Sequence, residues 1–147
     1  MTLDQAIERI QFAYPQIYFA CHTRHARKRS NTFHVSSRDT EMLVHLGGDV
    51  PITLSELAGH MDMARSTVSE AMTKLVRLGY AAKLEARDRD RRHIGLVLTP
   101  KGIEVIRATS VLEAARLRRV LGRLSRKELT QAIAGITRLA AACRKGK

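Results

Sequence analysis

The chain has 147 residues, room for one domain or one dimer subunit but not for two independent enzyme domains. Lys plus Arg number 26 against 14 Asp plus Glu, and the resulting +12 at pH 7 excludes an acidic solvating protein and points to a polyanionic partner. Apolar residues make up 44%, which excludes a disordered polycation, and no apolar run approaches the roughly 18–20 residues of a membrane span.

The N-terminus, Met1-Thr2-Leu3-Asp4, has no basic-then-apolar leader, so a cytoplasmic location is expected. Cys21 and Cys143 form no CxxC pair, so neither a disulfide framework nor a zinc ribbon is indicated. Four of the six aromatics (Phe12, Tyr14, Tyr18 and Phe19) fall in one short stretch. Single-strand readers need spaced aromatic platforms, so a duplex is the better expectation for a nucleic-acid partner.

The helical period dominates. Leu3, Ile7, Ile10, Tyr14, Ile17 and Cys21 mark a long first helix, with Pro15 able to kink or divide it. Asn31 to Val35 reads as a loop. Ser36 and Asp39 form a capping box for a helix carrying Met42, Leu43 and Leu46, which Gly47-Gly48 ends. Thr53 and Glu56 form another box, followed by Leu54, Leu57, Ala58 and Met61 on one stripe. After the break Asp62-Met63-Ala64, a further helix places Val68, Ala71, Met72 and Leu75 at the same offsets, and Gly79 terminates it. Two short amphipathic helices joined by a tight turn are a helix-turn-helix pattern.

The period then changes. Tyr80 to Leu84 and His93 to Leu98 read as short strands around a charged loop, residues 85–92, and together they describe a wing. Thr99-Pro100 starts a long helix carrying Ile103, Ile106, Ala114, Leu117, Leu121 and Leu124. Ser125 and Glu128 cap a last helix with Leu129, Ile133, Ile136, Ala140 and Cys143, before a basic tail at 144–147.

The expected architecture is therefore mainly α with a small β-wing, as a single domain over residues 1–147. A winged helix-turn-helix DNA-binding lobe occupies 36–99, and dimerisation helices lie at 1–30 and 100–143. The stripes of these flanking helices exceed what one lobe can cover. A helix from Pro100 to about Leu124 would be about 36 Å long. A homodimer would bury the surplus and set two recognition helices about 34 Å apart, one helical turn of duplex.

The second helix of the pair carries the binding chemistry. Ser66, Ser69, Glu70, Thr73, Lys74 and Arg77 share the face opposite the apolar stripe, and a polar helix face of this kind suits a major groove. Arg65, Ser66, Thr67, Ser69 and Glu70, nearest its N-terminus, are expected at base edges or phosphates, with Arg65 suited to guanine and Glu70 to a cytosine amine. Thr73, Lys74 and Arg77 are expected at phosphates. On the wing, Arg87, Arg89, Arg91 and Arg92 suit a minor groove, and Asp90 is expected to orient Arg92 across the hairpin.

These residues carry a family resemblance. The run from Ile52 to Gly102, with "ITLSELAGHMDMARSTVSEAMTKLVRLGY", the wing "DRDRR" and "LVLTPKG", resembles the winged helix-turn-helix of the MarR family of bacterial transcriptional regulators. Asp90-Arg91-Arg92 agrees with that family's Asp-x-Arg wing element. The resemblance implies a homodimer on a palindromic double-stranded operator, usually repressing a nearby gene, with DNA binding weakened by a small ligand or oxidant. Pro15 in the first helix is unusual for the family, and no redox or metal pattern of the family is complete.

Effector chemistry has three candidate seats. His22 and His25 share a helix face and could hold a metal with Cys21 or His34, but the surrounding Arg24, Arg27, Lys28 and Arg29 oppose a cation, and a basic helix end is the favoured reading. No metal and no cofactor are expected. Cys21 beside this charge could sense an oxidant, although its place on the apolar stripe favours a buried thiol. Tyr14, Tyr18, His22, Arg38 and His45 could line a pocket for an aromatic acid. The run Arg116, Arg118, Arg119, Arg123, Arg126, Lys127 spreads around its helix and reads as a solvated surface rather than a membrane contact. No GxSxG, HExxH or Gly-rich phosphate loop is present, so no enzyme is expected. The competing reading is a sequence-neutral architectural DNA-binding protein, since charge alone gives neutral binding.

Overall fold

A computed structural model describes residues 1–23, 32–47, 50–84 and 94–144. Among these described residues, seven helices and two strands run in the order α1 (Leu3–Cys21), α2 (Ser37–His45), α3 (Leu54–Met61), α4 (Arg65–Arg77), β1 (Ala81–Leu84), β2 (Gly95–Leu98), α5 (Pro100–Thr109), α6 (Ala114–Leu121) and α7 (Arg126–Arg144). The chain is thus mainly α with one small antiparallel hairpin.

Local chemistry sets most helix starts. Ser36 with Asp39 and Thr53 with Glu56 form reciprocal capping boxes, as expected, and Thr2 with Gln5 adds one at α1. Thr99 accepts from the Gly102 N–H, with Pro100 opening α5, while Ser125 and Glu128 bond each other at the start of α7. Each such cap supplies a partner for an amide that the helix itself cannot satisfy. Asp62 takes the left-handed conformation (φ 51°, ψ 49°) and turns the chain from α3 into α4. Gly79 (φ 81°) ends α4, with its N–H donating to Val76 and the Tyr80 N–H donating to Leu75. That pairing of amides with carbonyls is a Schellman ending, which needs a residue free to enter the left-handed region.

The core lies where α2, α3, α4, the hairpin and α5 meet. Met42, Leu43, Leu57, Val68, Met72, Leu75 and Val105 are fully buried, with Leu46, Ala58, Tyr80, Ala81 and Leu96 beside them. The three apolar stripes expected for α2, α3 and α4 form this core. The hairpin pairs Ala81 with Leu98 through Leu84 with Gly95, and Ile52 adds a bridge to Leu96 on the outer side. The strands are slightly shorter than the sequence pattern suggests. The intervening wing residues, with Arg87, Arg89, Asp90, Arg91 and Arg92, lie outside the described residues, as do Arg24, His25, Arg27, Lys28 and Arg29.

The long first helix is present, and of the two things Pro15 could do to it, division does not occur: α1 runs unbroken from Leu3 to Cys21. Two expectations are corrected. The single helix expected from Pro100 to about Leu124 is two helices, α5 and α6. At the break, Thr109 turns its hydroxyl back onto the Val105 carbonyl at 2.7 Å, and Ser110 accepts from the Leu112 N–H. The extended link pairs with the end of α1: Thr23 N–H donates to Val111 and Glu113 N–H to Cys21. Hydrogen bonds from a distant segment replace those the helix would have made, at residues whose side chains compete with the helical backbone. Finally, α5 turns Gly102, Val105 and Thr109 inward, leaving Ile103 39% exposed. A Cβ at Gly102 would stand 2.1 Å from the Tyr80 carbonyl oxygen, so only glycine allows α5 to lie this close to the start of β1.

Candidate nucleic-acid interface

Burying Val68, Met72 and Leu75 turns the opposite side of α4 to solvent. Arg65, Ser66, Thr67, Glu70, Thr73 and Arg77 are exposed, while Ser69 and Lys74 are half-buried. All eight belong to the helix that the sequence pattern designates as the recognition helix. Thr73 donates to the Ser69 carbonyl at 2.9 Å, which ties its hydroxyl to the helix backbone.

This face divides between two concavities. Arg65 and Ser69 line a small one of about 110 Å³ with Thr53 and Ser55 at the start of α3, Lys83 on β1, and Ile94 and Leu96 on the hairpin side. Thr67, Glu70, Thr73, Lys74 and Arg77 line a broad cleft of about 580 Å³ with Ser36, Arg38 and Asp39 at the start of α2. Ser66 lies between the two sets in sequence. Among the described residues, no ion pair engages Arg38, Arg65, Arg77 or Lys83.

Lys74 is different. Its Nζ lies 2.6 Å from Asp39 Oδ2, and the Asp39 side chain is only 7% exposed. The same oxygen accepts the Ser36 N–H at 2.7 Å. Burial pushes the Asp39 carboxyl up, but hydrogen bonds from Lys74 and Ser36 and the Lys74 charge outweigh it, holding the carboxyl below its ordinary value. Ser36 and Asp39 are legible as a cap. Their link to Lys74, 35 positions away, is not.

Helix α4 has Ala64 at its N-cap with no side-chain hydrogen bond, whereas α1, α2, α3 and α5 are each capped by a Ser or Thr. At its other end, Lys101 donates to the Leu78 carbonyl at 3.0 Å and lies over the Tyr80 ring. Lys83 joins the face from β1. The signal for it is a cation on an otherwise apolar strand beside the recognition helix, and periodicity alone does not select it.

The five residues expected to line a ligand pocket occupy three surroundings. Tyr14, Tyr18 and His22 form a stack along α1, with ring centroids 6.4 Å and 4.5 Å apart. Arg38 opens into the α2–α4 cleft, and His45 faces His60 of α3 at 5.6 Å. Cys21 is fully buried and Cys143 is exposed, both as free thiols. Among the described residues, no group of three or more His, Cys, Asp and Glu could hold a metal ion.

Residues 41–85 match the IclR helix-turn-helix domain. Comparison with curated protein sequences yields no match. Among solved structures, the chain is similar to a mutant MepR from a multidrug-resistant S. aureus clinical isolate, at 18% identity over 97% of each chain with a TM-score of 0.66. It is similar to the transcriptional regulator Tm0710 from Thermotoga maritima, at 22% identity over 96% of each chain with a TM-score of 0.59. It is also similar to S. aureus MepR in a complex with DNA, at 20% identity over 81% of this chain and 89% of that one, with a TM-score of 0.57. The fold is that of the winged-helix MarR regulators. The sequence match to a helix-turn-helix model is to IclR rather than to MarR.

Proposed function

We propose that the chain is a sequence-specific regulator of transcription that binds double-stranded DNA through α4, in the manner of the MarR family. The observation that carries this reading is the two-sided character of α4. Its apolar side forms the core of the lobe, while Ser66, Thr67, Glu70, Thr73 and Arg77 stand exposed on the other side. A convex polar helix flanked by Arg38, Arg65, Arg77 and Lys83, none of them ion-paired among the described residues, suits a major groove bordered by phosphates. The wing arginines Arg87, Arg89, Arg91 and Arg92, which lie outside the described residues, would extend the contact into a minor groove. The helix-turn-helix match and the DNA complex of MepR support the same reading.

The active form is a homodimer on a palindromic operator. Phe12 and Ile10 of α1 and Ile133, Ile136 and Leu139 of α7 are 46–67% exposed. Two helices with this much apolar surface gain most by covering it with a second copy. The Tyr14–Tyr18–His22 stack suits an aromatic acid whose binding would relieve repression. Among the described residues, no helix is long and apolar enough to cross a membrane. The regulator acts where the DNA is, in the cytoplasm.

The test is selection of bound duplexes from a random pool, followed by a competition titration at fixed salt. The selected duplex should win over random duplex by at least 1,000-fold. A margin of only a few-fold would replace this reading with sequence-neutral architectural binding. Light scattering at micromolar concentration should give twice 16.5 kDa, and a monomer mass would remove the dimer.

A further inference from the structure

We propose that Asp39 is a positioning residue: it holds the Lys74 ammonium against the start of α2 and keeps that cation off the DNA backbone. The inference rests on the α4 reading above and concerns the same face. Lys74 stands next to Thr73 and one turn from both Glu70 and Arg77, where a free ammonium would meet a phosphate. Instead its Nζ lies 2.6 Å from Asp39 Oδ2, and its side chain is 38% exposed.

The carboxylate is poorly placed to release it. Asp39 is buried, and the oxygen that binds Lys74 also accepts the Ser36 N–H that starts α2. Withdrawing Lys74 would leave a buried carboxylate without its counter-charge, a far larger penalty than breaking a surface pair. Lys74 therefore contributes to the seam between α2 and α4 rather than to counterion release. In a chain of net charge +12, sequence-neutral attraction to DNA is already abundant. A phosphate contact is made alike on every sequence, so holding Lys74 back lowers the attraction to random and selected duplexes together and leaves their discrimination to the other residues of α4.

The experiment measures the salt dependence of binding to a random-sequence 30-base-pair duplex and to the duplex selected above. Each phosphate contact contributes about 0.9 to the slope of log affinity against log salt. Lys74→Gln should leave the slope unchanged, whereas Arg77→Ala should reduce it by about 0.9. Asp39→Asn, which keeps an acceptor for the Ser36 N–H, should free Lys74. The slope should steepen by about 0.9, and random and selected duplexes should both bind several-fold more tightly. Adding Lys74→Gln to Asp39→Asn should return the slope to the parent value.

A slope reduced by about 0.9 in Lys74→Gln would overturn the proposal, because Lys74 would then be a phosphate contact. An unchanged slope in a folded Asp39→Asn would also overturn it, leaving the pair a purely structural one. If Asp39→Asn does not fold, Lys74→Gln alone decides. Failure of the underlying reading looks different: the parent chain would bind no duplex, or Arg77→Ala would change nothing.

Discussion

In α4 the stripe Val68, Met72 and Leu75 is at most 1% exposed, whereas in α1 the stripe Leu3, Ile7, Ile10, Tyr14 and Ile17 is 40–77% exposed. Both helices carry apolar residues at three- and four-residue spacing. The α4 stripe belongs to one buried cluster with residues of α2, α3 and the hairpin in its own chain. Among the described residues, α1 meets its own chain at α6 and at the link before it, the link through Cys21, His22 and Thr23. An amphipathic period specifies a face that needs cover, and says nothing about whether the cover lies in the same chain.

The sharpest way to break this contrast is to cut the α4 stripe and an exposed apolar face equally, here that of α7. Leu75→Ala should cost about 2–5 kcal/mol in urea unfolding, as a core cavity. Ile136→Ala on α7, at a residue 55% exposed, should cost less than about 0.5 kcal/mol at a concentration low enough for the monomer. Its effect should grow with protein concentration, as the dimer forms. Equal, concentration-independent losses would mean that α7 is already covered by its own chain.

Acid provides a second, smaller separation. Asp39 is held below its ordinary carboxyl value of 3.8 in the folded chain, so protonation costs the folded state more than the unfolded one. Its stabilising contribution is complete above the ordinary carboxylate range and is lost as pH falls through that range and below it. Parent and Asp39→Asn stabilities, measured by urea titration at several pH values, should therefore differ most near neutrality and converge toward pH 3. A gap that stays constant from neutral to acid pH would show that the carboxylate charge plays no part.

The smallest expected effect concerns the helix starts. α1 is capped by Thr2, while α4 begins at Ala64 with no side-chain cap. Ala64→Asp should add about 0.5–2 kcal/mol of stability through a new N-cap. If the start of α4 meets a phosphate, the same change should weaken duplex binding, since the carboxylate would occupy those amides and repel the backbone. A more stable variant with unchanged binding would place the start of α4 away from the DNA.

The parts of the fold that were legible are those written in neighbouring residues. The boxes at Ser36 and Thr53, the Thr99-Pro100 start and the glycine ending at Gly79 involve contacts across three to five positions. So do the stripes of α2, α3 and α4, which place the polar face of α4 without further information. Contacts between distant residues were not legible. Arg38 reads as a pocket residue until α2 and α4 are set side by side, and then it faces the same cleft as Arg77. The break after Thr109 has weak local signals, because it is stabilised by amides and carbonyls at the end of α1.

The amino-acid order alone determined the helix-turn-helix, its caps and the polar side of its second helix, because those depend on period and on groups within one turn of each other. Tertiary structure decided which cations on that side stay free. Whether an ammonium faces solvent or a carboxylate 35 residues away depends on how two helices pack, and that geometry is a property of the assembled core.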